Sequence, residues 1–304
     1  MLCIQHPVVK SLSINMCNLK SLISLSSLLI IQSFAVNATS HDTPLKESSY
    51  ELVLKKYSQS ALLSHSGVSV NDINVSLSGW SDTGDSLDPE SKDMIVKSAN
   101  AYKVVDNNGY YYGYGVLNQD GEGSTSPNHS ADNYFYNGKD NADGRKYADF
   151  DFILFSFDEK VTLDEVGFGW VNKHGDDQQV SIAGINDNQL SSLKSQNSTW
   201  TDIINGAVSN SFNITKKNGS YQSSGFGFTE GAKYWLVGAY NTVFGTVNGA
   251  SMYNDGLKVT SISFTKASVE NTQVSEPGAL ALMSLGLGLV LYRRKRRVKL
   301  FKNA

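Results

Sequence analysis

Carboxylates are the residues of this chain with the most chemistry to offer. Asp140, Asp143, Asp149 and Asp151 crowd one stretch, and Asp176-Asp177 follow shortly after. Hard oxygen donors at such density suit calcium, which gathers about 6–8 oxygen ligands. An EF-hand does not fit, because placing Gly144 at the sixth loop position puts Lys139 at the first. A structural calcium at these four aspartates therefore competes with the plainer reading of solvated turn acids, and no other cofactor or metal is expected. Asp151 with Glu165 would serve a glycosidase if the fold brought the two within roughly 5–10 Å. Histidines offer less. His41, His65, His129 and His174 are scattered, with no HExxH or His-x-His pair, so a zinc or copper centre is not expected. His129, Ser130 and Asp132 supply a base, a nucleophile and a carboxylate inside PNHSADN. Neighbours in one loop cannot orient each other as a relay, however, and no Gly-x-Ser-x-Gly elbow is present. Asn128, Asp132 and Asn133 are expected instead to tie a loop through backbone hydrogen bonds.

Aromatic rings are the second chemical resource. YYYGYG at 110–115, GFGW at 167–170 and GFGF at 225–228 alternate rings with glycine, which on a strand puts rings on one face and bare backbone on the other. In one reading the rings fill a core while glycine admits a bulky neighbour. In the other, Tyr110, Tyr112 and Tyr114 face outward as a stacking platform for sugar rings.

The elements that must position these groups are strands. Val68 and Val70 alternate with polar residues, then Ile73, Val75 and Leu77 continue on the opposite parity, so Asn71-Asp72 marks a turn or bulge. FILFSF within Phe150–Phe157 reads as a strand buried on both faces. Val161 to Leu163 and Val166 to Trp170 form the next, with a break at Asp164-Glu165. Val180-Ile182, Tyr234 to Tyr240 and Leu257 to Phe264 extend the series, separated by NNG, DGEG, NADG, HGDD and NDG, turn chemistry that tolerates positive φ. The expected fold is mainly β, an antiparallel β-sandwich or jelly roll. Helix is scarce: Tyr50, Val53, Leu54, Tyr57 and Ala61 fit one helical stripe, and Leu190, Leu193, Ile203 and Ile204 fit a short helix or two.

The two ends bracket this body. Lys10 and Lys20 precede the apolar stretch Leu22–Phe34, and Val36-Asn37-Ala38 presents small residues, a secretory leader with cleavage after Ala38. Its charged region is long, and Met16 as the initiator would give an ordinary length. Both cysteines, Cys3 and Cys17, fall inside the leader, so no disulfide staples residues 39–264, and about 230 residues must fold on their own core. At the other end, residues 265–274 read as a linker. Then Ser275, Glu276 and Pro277 precede an uncharged run from Gly278 to Tyr292, and Arg293, Arg294, Lys295, Arg296 and Arg297 follow without a gap. As a helix, 278–292 spans roughly 22 Å against a hydrocarbon core of roughly 30 Å, marginal for a permanent anchor. The cations would stay cytoplasmic and the body would lie outside. With the leader's two lysines and the seven cations beyond Tyr292 set aside, 17 Lys and Arg remain against 29 acids, a net charge of −12. Such a body disfavours nucleic acid and anionic surfaces.

Residues 275–304 resemble the PEP-CTERM sorting signal of Gram-negative bacteria: a motif ending in Glu276-Pro277, an apolar segment rich in Leu, Gly and Ala, and an Arg-rich end. The chain departs from the pattern at Ser275, where the family usually has Pro, and its basic end runs on to Lys302. The resemblance implies export by the general secretion machinery and a pause in the inner membrane. An exosortase would then process the chain near Glu276-Pro277, with release or attachment at the cell surface. SPNHSADN, DFDFILFSF and VTLDEVGFGW are also similar to a family of exosortase-dependent surface proteins. Together these imply an exported, non-catalytic structural or interaction protein of the cell surface or extracellular matrix of a biofilm. The alternatives are a carbohydrate-binding module associated with exopolysaccharide, and a secreted hydrolase using carboxylates.

Overall fold

The computed structural model describes residues 48–82, 93–118, 129–133, 135–137, 146–148, 150–172, 178–252, 254–266 and 283–293. Strands β1 (Ser49–Val53), β2 (Val68–Val70), β3 (Ile73–Ser81), β4 (Lys97–Val105) and β5 (Tyr111–Leu117) lead. They are followed by β6 (Ala131–Asp132), β7 (Phe135–Asn137), β8 (Lys146–Ala148) and the 21-residue β9 (Asp151–Val171). β10 (Gln179–Ile185), β11 (Val208–Asn213), β12 (Thr215–Lys217), β13 (Ser220–Ser224), β14 (Ala232–Ala239) and β15 (Gly256–Lys266) complete the series. Every pairing is antiparallel; β7 and β8 form a ribbon of their own and the other thirteen strands one sheet.

The mainly β, antiparallel class expected from alternation is what the chain adopts, and the first turn falls where parity changes. Val68 pairs with Val75 and Val70 with Ile73, and Asn71 and Asp72 turn between them at φ 47° and 65°, the two-residue hairpin geometry matched to strand twist. The helical stripe over Tyr50–Ala61 does not form. Residues 49–53 are β1, laid along β15 with Tyr50 opposite Phe264, and their rings meet at 5.8 Å. Leu52 and Leu54 are fully buried, a period of two that the stripe reading overlooked, and pairing with β15 supplies backbone bonds an isolated short helix could not match. Within this stretch helix is confined to a 3-10 turn, Leu54–Lys56, and to Gln59–Leu62, where the Ser58 hydroxyl accepts from the Ala61 amide.

The spine of the sheet is β9. The strand runs on through Asp164-Glu165, but its alternation breaks there as expected: Ser263 pairs with Glu165 and Phe264 with Leu163, leaving Asp164 as an extra residue on β9, while β15 carries an extra residue of its own, Thr260, between Val259 and Ser261. The first third of β9 lies between β3 and β14, and its last third between β15 and β13. Because β3 continues to β4, β5 and then β15, the path returns to β9 at its other end, a barrel-like closure.

Burial follows from this. Ile153, Phe155 and Phe157 point into a first core with Leu163, Val166, Phe168, Val259 and Phe264. Phe152 and Leu154 point the other way, into a second core capped by two short helices, Asp187–Ser195 and Trp200–Ile204. There Phe152 stacks on Phe244 at 4.4 Å and meets Trp200 at 4.5 Å. FILFSF is thus buried on both faces, as its unbroken apolar run predicts. Both helices begin with capping boxes, Asn186 with Gln189 and Thr199 with Asp202.

Thr265 and Lys266, assigned to the linker from sequence, are the last residues of β15, paired with β9. The remainder of the linker lies outside the described residues. Residues 283–293 are helical and exposed throughout, Met283 at 70 % and Leu291 at 62 %. No described helix is long and apolar enough to cross a membrane.

Candidate functional site

Four strands lie side by side in the order β1, β15, β9, β13, and their outward residues run in register. Val53 is opposite Ser261, Ser261 opposite Gly167, and Gly167 opposite Gln222; one pair along, Glu51, Ser263, Glu165 and Ser224 repeat the row. Alternation makes this the face away from the first core, since the intervening Val166 and Phe168 are buried. Gly167 and Gly169 carry no side chain, and the space over them is taken by the Ser261 hydroxyl and by the Thr260 methyl and Tyr112 carbonyl, so small groups of β15 and β5 form the floor here. The slip in β15 places Thr260 and Ser261 together at this surface. The resulting open groove has a volume of about 850 Å³.

Its lip is a rigid loop. Between β4 and β5 the Asp106 carboxylate accepts from the amides of Asn108 at 2.8 Å and Tyr110 at 2.7 Å. The Asp106 carbonyl accepts from Gly109, whose φ of +80° closes the turn. This holds Tyr110, 60 % exposed, over the groove. Across from it Tyr221 stands on β13 with the Lys216 ammonium 5.3 Å from its ring, and the Gln222 amide donates to Glu165 at 3.3 Å.

The tyrosines expected as one platform are divided by a bulge. Val104 pairs with Gly113 but Val105 with Tyr111, leaving Tyr112 unmatched, and Gly113 takes φ +127°. An extra residue inverts alternation. Tyr110 and Tyr112 therefore meet edge to face outside, at 4.8 Å, while Tyr111 and Tyr114 meet at 6.4 Å on the core side. Tyr114 is fully buried and is no part of any platform. Burial pushes its phenol up to about 12 and raises Tyr111 as well, and neither hydroxyl has a hydrogen-bond partner among the described residues. Gly169 lies directly beneath the Tyr112 carbonyl, where a methyl group would collide with it. The GFGW and YYYGYG motifs, distant in sequence, are thus in contact.

A second polar cluster is sealed. Asn133 donates from its side chain to the Tyr240 carbonyl at 2.7 Å and to Asp255 Oδ2 at 2.9 Å, and accepts from the Asp255 amide at 2.8 Å. Asp255 Oδ1 accepts from the Gln179 amide at 2.8 Å. Burial raises the Asp255 carboxyl to about 7, against the lowering effect of the Gln179 and Asn133 donors. Ser130 donates to Asp132 at 3.0 Å, and both are fully buried. A hydroxyl so enclosed is beyond the reach of a substrate, and the tying of the loop to backbone groups expected here is displayed by Asn133, through the Tyr240 carbonyl and the Asp255 amide, whereas the Asp132 carboxylate takes the Ser130 side chain. Asn128 lies outside the described residues. His129, at φ 56°, faces Tyr102 at 4.8 Å; burial, then the charge of Lys258, lowers its pKa.

The remaining expectations divide simply. Asp151 is fully buried at the start of β9, receiving the Asn118 amide at 3.3 Å. Glu165 lies two thirds of the way along the same strand, a contour on the order of 45 Å away, beside Ser224 and Ser263 rather than Ser81, the partner of Asp151. They do not form a glycosidase pair. Asp140, Asp143 and Asp149 lie outside the described residues, and among those described no group of acids, histidines or cysteines could hold a metal. No family model, curated protein or solved structure matches the chain. Ala38, Ser275, Glu276, Pro277, Arg294, Lys295, Arg296 and Arg297 also lie outside the described residues, while Arg293 ends the helix 283–293. Sequence reasoning missed Tyr221, Gln222, Thr260 and Ser261 as groove residues; the alternation in SYQSS was too short and too polar to point to them.

Proposed function

We propose that this is an exported, non-catalytic surface or extracellular-matrix protein, delivered through a leader ending at Ala38 and processed by an exosortase at its C-terminal signal. Before processing, the helix over 278–292 holds the chain in the inner membrane, with Arg293 to Arg297 on the cytoplasmic side. One observation carries the reading: an apolar helix directly preceding a cation cluster is exposed along its described length. Met283, Leu285, Leu287, Leu289, Val290 and Leu291 are each about 60–70 % exposed, and so many exposed apolar side chains call for a nonaqueous partner. Glu276-Pro277 just ahead of it, and the leader at the opposite end, agree with the same route. The two cores further support describing the body as a bent β-sandwich in which β9 serves both layers. Mass spectrometry of both termini, in cells with and without the sorting enzyme, tests the proposal. Cleavage after Ala38 and near Glu276-Pro277 is the expected result. An intact chain recovered from the cytosol would overturn it.

A further inference from the structure

We propose that the groove over β1, β15, β9 and β13 binds a stretch of neutral polysaccharide. The inference rests on the export reading only for where such a polymer is met. Three features of the groove point to this ligand class. Its wall is aromatic at one exposed place, Tyr110, braced edge to face by Tyr112 and held by a loop whose amides are already satisfied by Asp106. An exposed ring kept still presents a π-face to the C–H face of a sugar with little ordering cost on binding. Its polar groups are those that read vicinal hydroxyls: the Glu165 carboxylate and Gln222 amide, joined at 3.3 Å, with the Thr260 and Ser261 hydroxyls beside them. Planar amides and carboxylates offer paired donors and acceptors, and hydroxyls both donate and accept. Its floor carries only small groups, the Ser261 hydroxyl over Gly167 and the Thr260 side chain with the Tyr112 carbonyl over Gly169, and the groove is open, so a chain can lie along it and need not be inserted end-on.

Charge decides among polysaccharides. Glu51 and Glu165 line the groove against Lys55, and the body between leader and tail carries a net −12. A uronic-acid polymer would meet repulsion there, whereas an uncharged one would not. A volume of about 850 Å³ is also large for a monosaccharide.

The test is calorimetric titration of the full-length chain, held in detergent, with cellohexaose, maltohexaose and mannohexaose as neutral probes and hexagalacturonate as the anionic one. At least one neutral probe is expected to bind. Tyr110→Ala should weaken it by roughly tenfold, and Tyr110→Phe, which retains the ring, should leave it unchanged. Gln222→Ala should weaken it several-fold. Both alanine variants should melt with the wild type, because the side chains are at the surface. Absence of binding to all three neutral probes overturns the inference. So does binding that Tyr110→Ala leaves intact, or tighter binding of hexagalacturonate. The mass of each terminus is a separate readout, so uncleaved but sugar-binding protein, or cleaved protein with no affinity for sugar, identifies which reading has failed.

Discussion

Strand β15 serves two polar sites only a few residues apart, and they have opposite characters. At its start Asp255 and Lys258 are sealed, the acid saturated by Gln179 and Asn133 and the ammonium 3.9 Å from the Trp170 ring centre. A little further on, Thr260 and Ser261 open onto the groove. Both sites hold hydroxyls, amides and carboxylates. What differs is access to water: around Asn133 and Asp255 the side-chain donors and acceptors are met by other groups of the protein, and in the groove they are left to solvent or a ligand. Residue type therefore says little about role until burial is known.

Substitutions that test this contrast should differ sharply in cost. Asn133→Ala removes three buried hydrogen bonds and strands the Asp255 carboxyl, so a loss of about 3–5 kcal/mol is expected in urea unfolding. Asp255 itself makes stability depend on pH. Its folded carboxyl, raised to about 7 from 3.8, keeps a proton that the unfolded chain has already released. Between those values the folded state binds more protons, so this contribution falls as pH rises from about 4 to 7 and is level above, a span on the order of a few kcal/mol. Unfolding midpoints at pH 4.5 and 7.5 should converge in Asp255→Asn relative to wild type; an identical difference in both proteins would remove Asp255 from the account. Gly169→Ala, forced against the Tyr112 carbonyl, should cost about 2 kcal/mol and also weaken any groove ligand by displacing the lip. Smallest is Tyr111→Phe. Deleting a buried hydroxyl that no described residue bonds should raise stability by about 0.5–1 kcal/mol or leave it unchanged, measured as a shift in Tm.

Much of the architecture could be read from short-range pattern. The Asn71-Asp72 hairpin, the doubly buried FILFSF and the two capped helices each follow from residues within one element or its turn. The stripe over Tyr50–Ala61 misled because its apolar spacing suits either period, and the deciding fact, an open edge on β15, lies some two hundred residues away. The break expected at Asp164-Glu165 interrupts the alternation and not the strand: Asp164 is an extra residue of β9 between the partners of Ser263 and Phe264, a bulge that shifts burial from Val161 and Leu163 to Val166 and Phe168 while the ladder continues. The tyrosines divide between the core and the outward placement, because a single unmatched residue at Tyr112 exchanges faces, and a bulge depends on the pairing of β4 with β5, not on the composition of β5.

The sequence by itself determined the antiparallel β class, the Asn71-Asp72 turn and which run had to be buried on two sides, because alternation, turn chemistry and helix caps are local properties of a covalent chain. Only the tertiary structure decided that β9 closes the sheet on itself, that Tyr114 is core while Tyr110 is surface, and that Glu165, Gln222 and Ser261 meet in one groove. Those outcomes depend on register between strands far apart in the chain, and register is selected by the summed burial of all their neighbours at once.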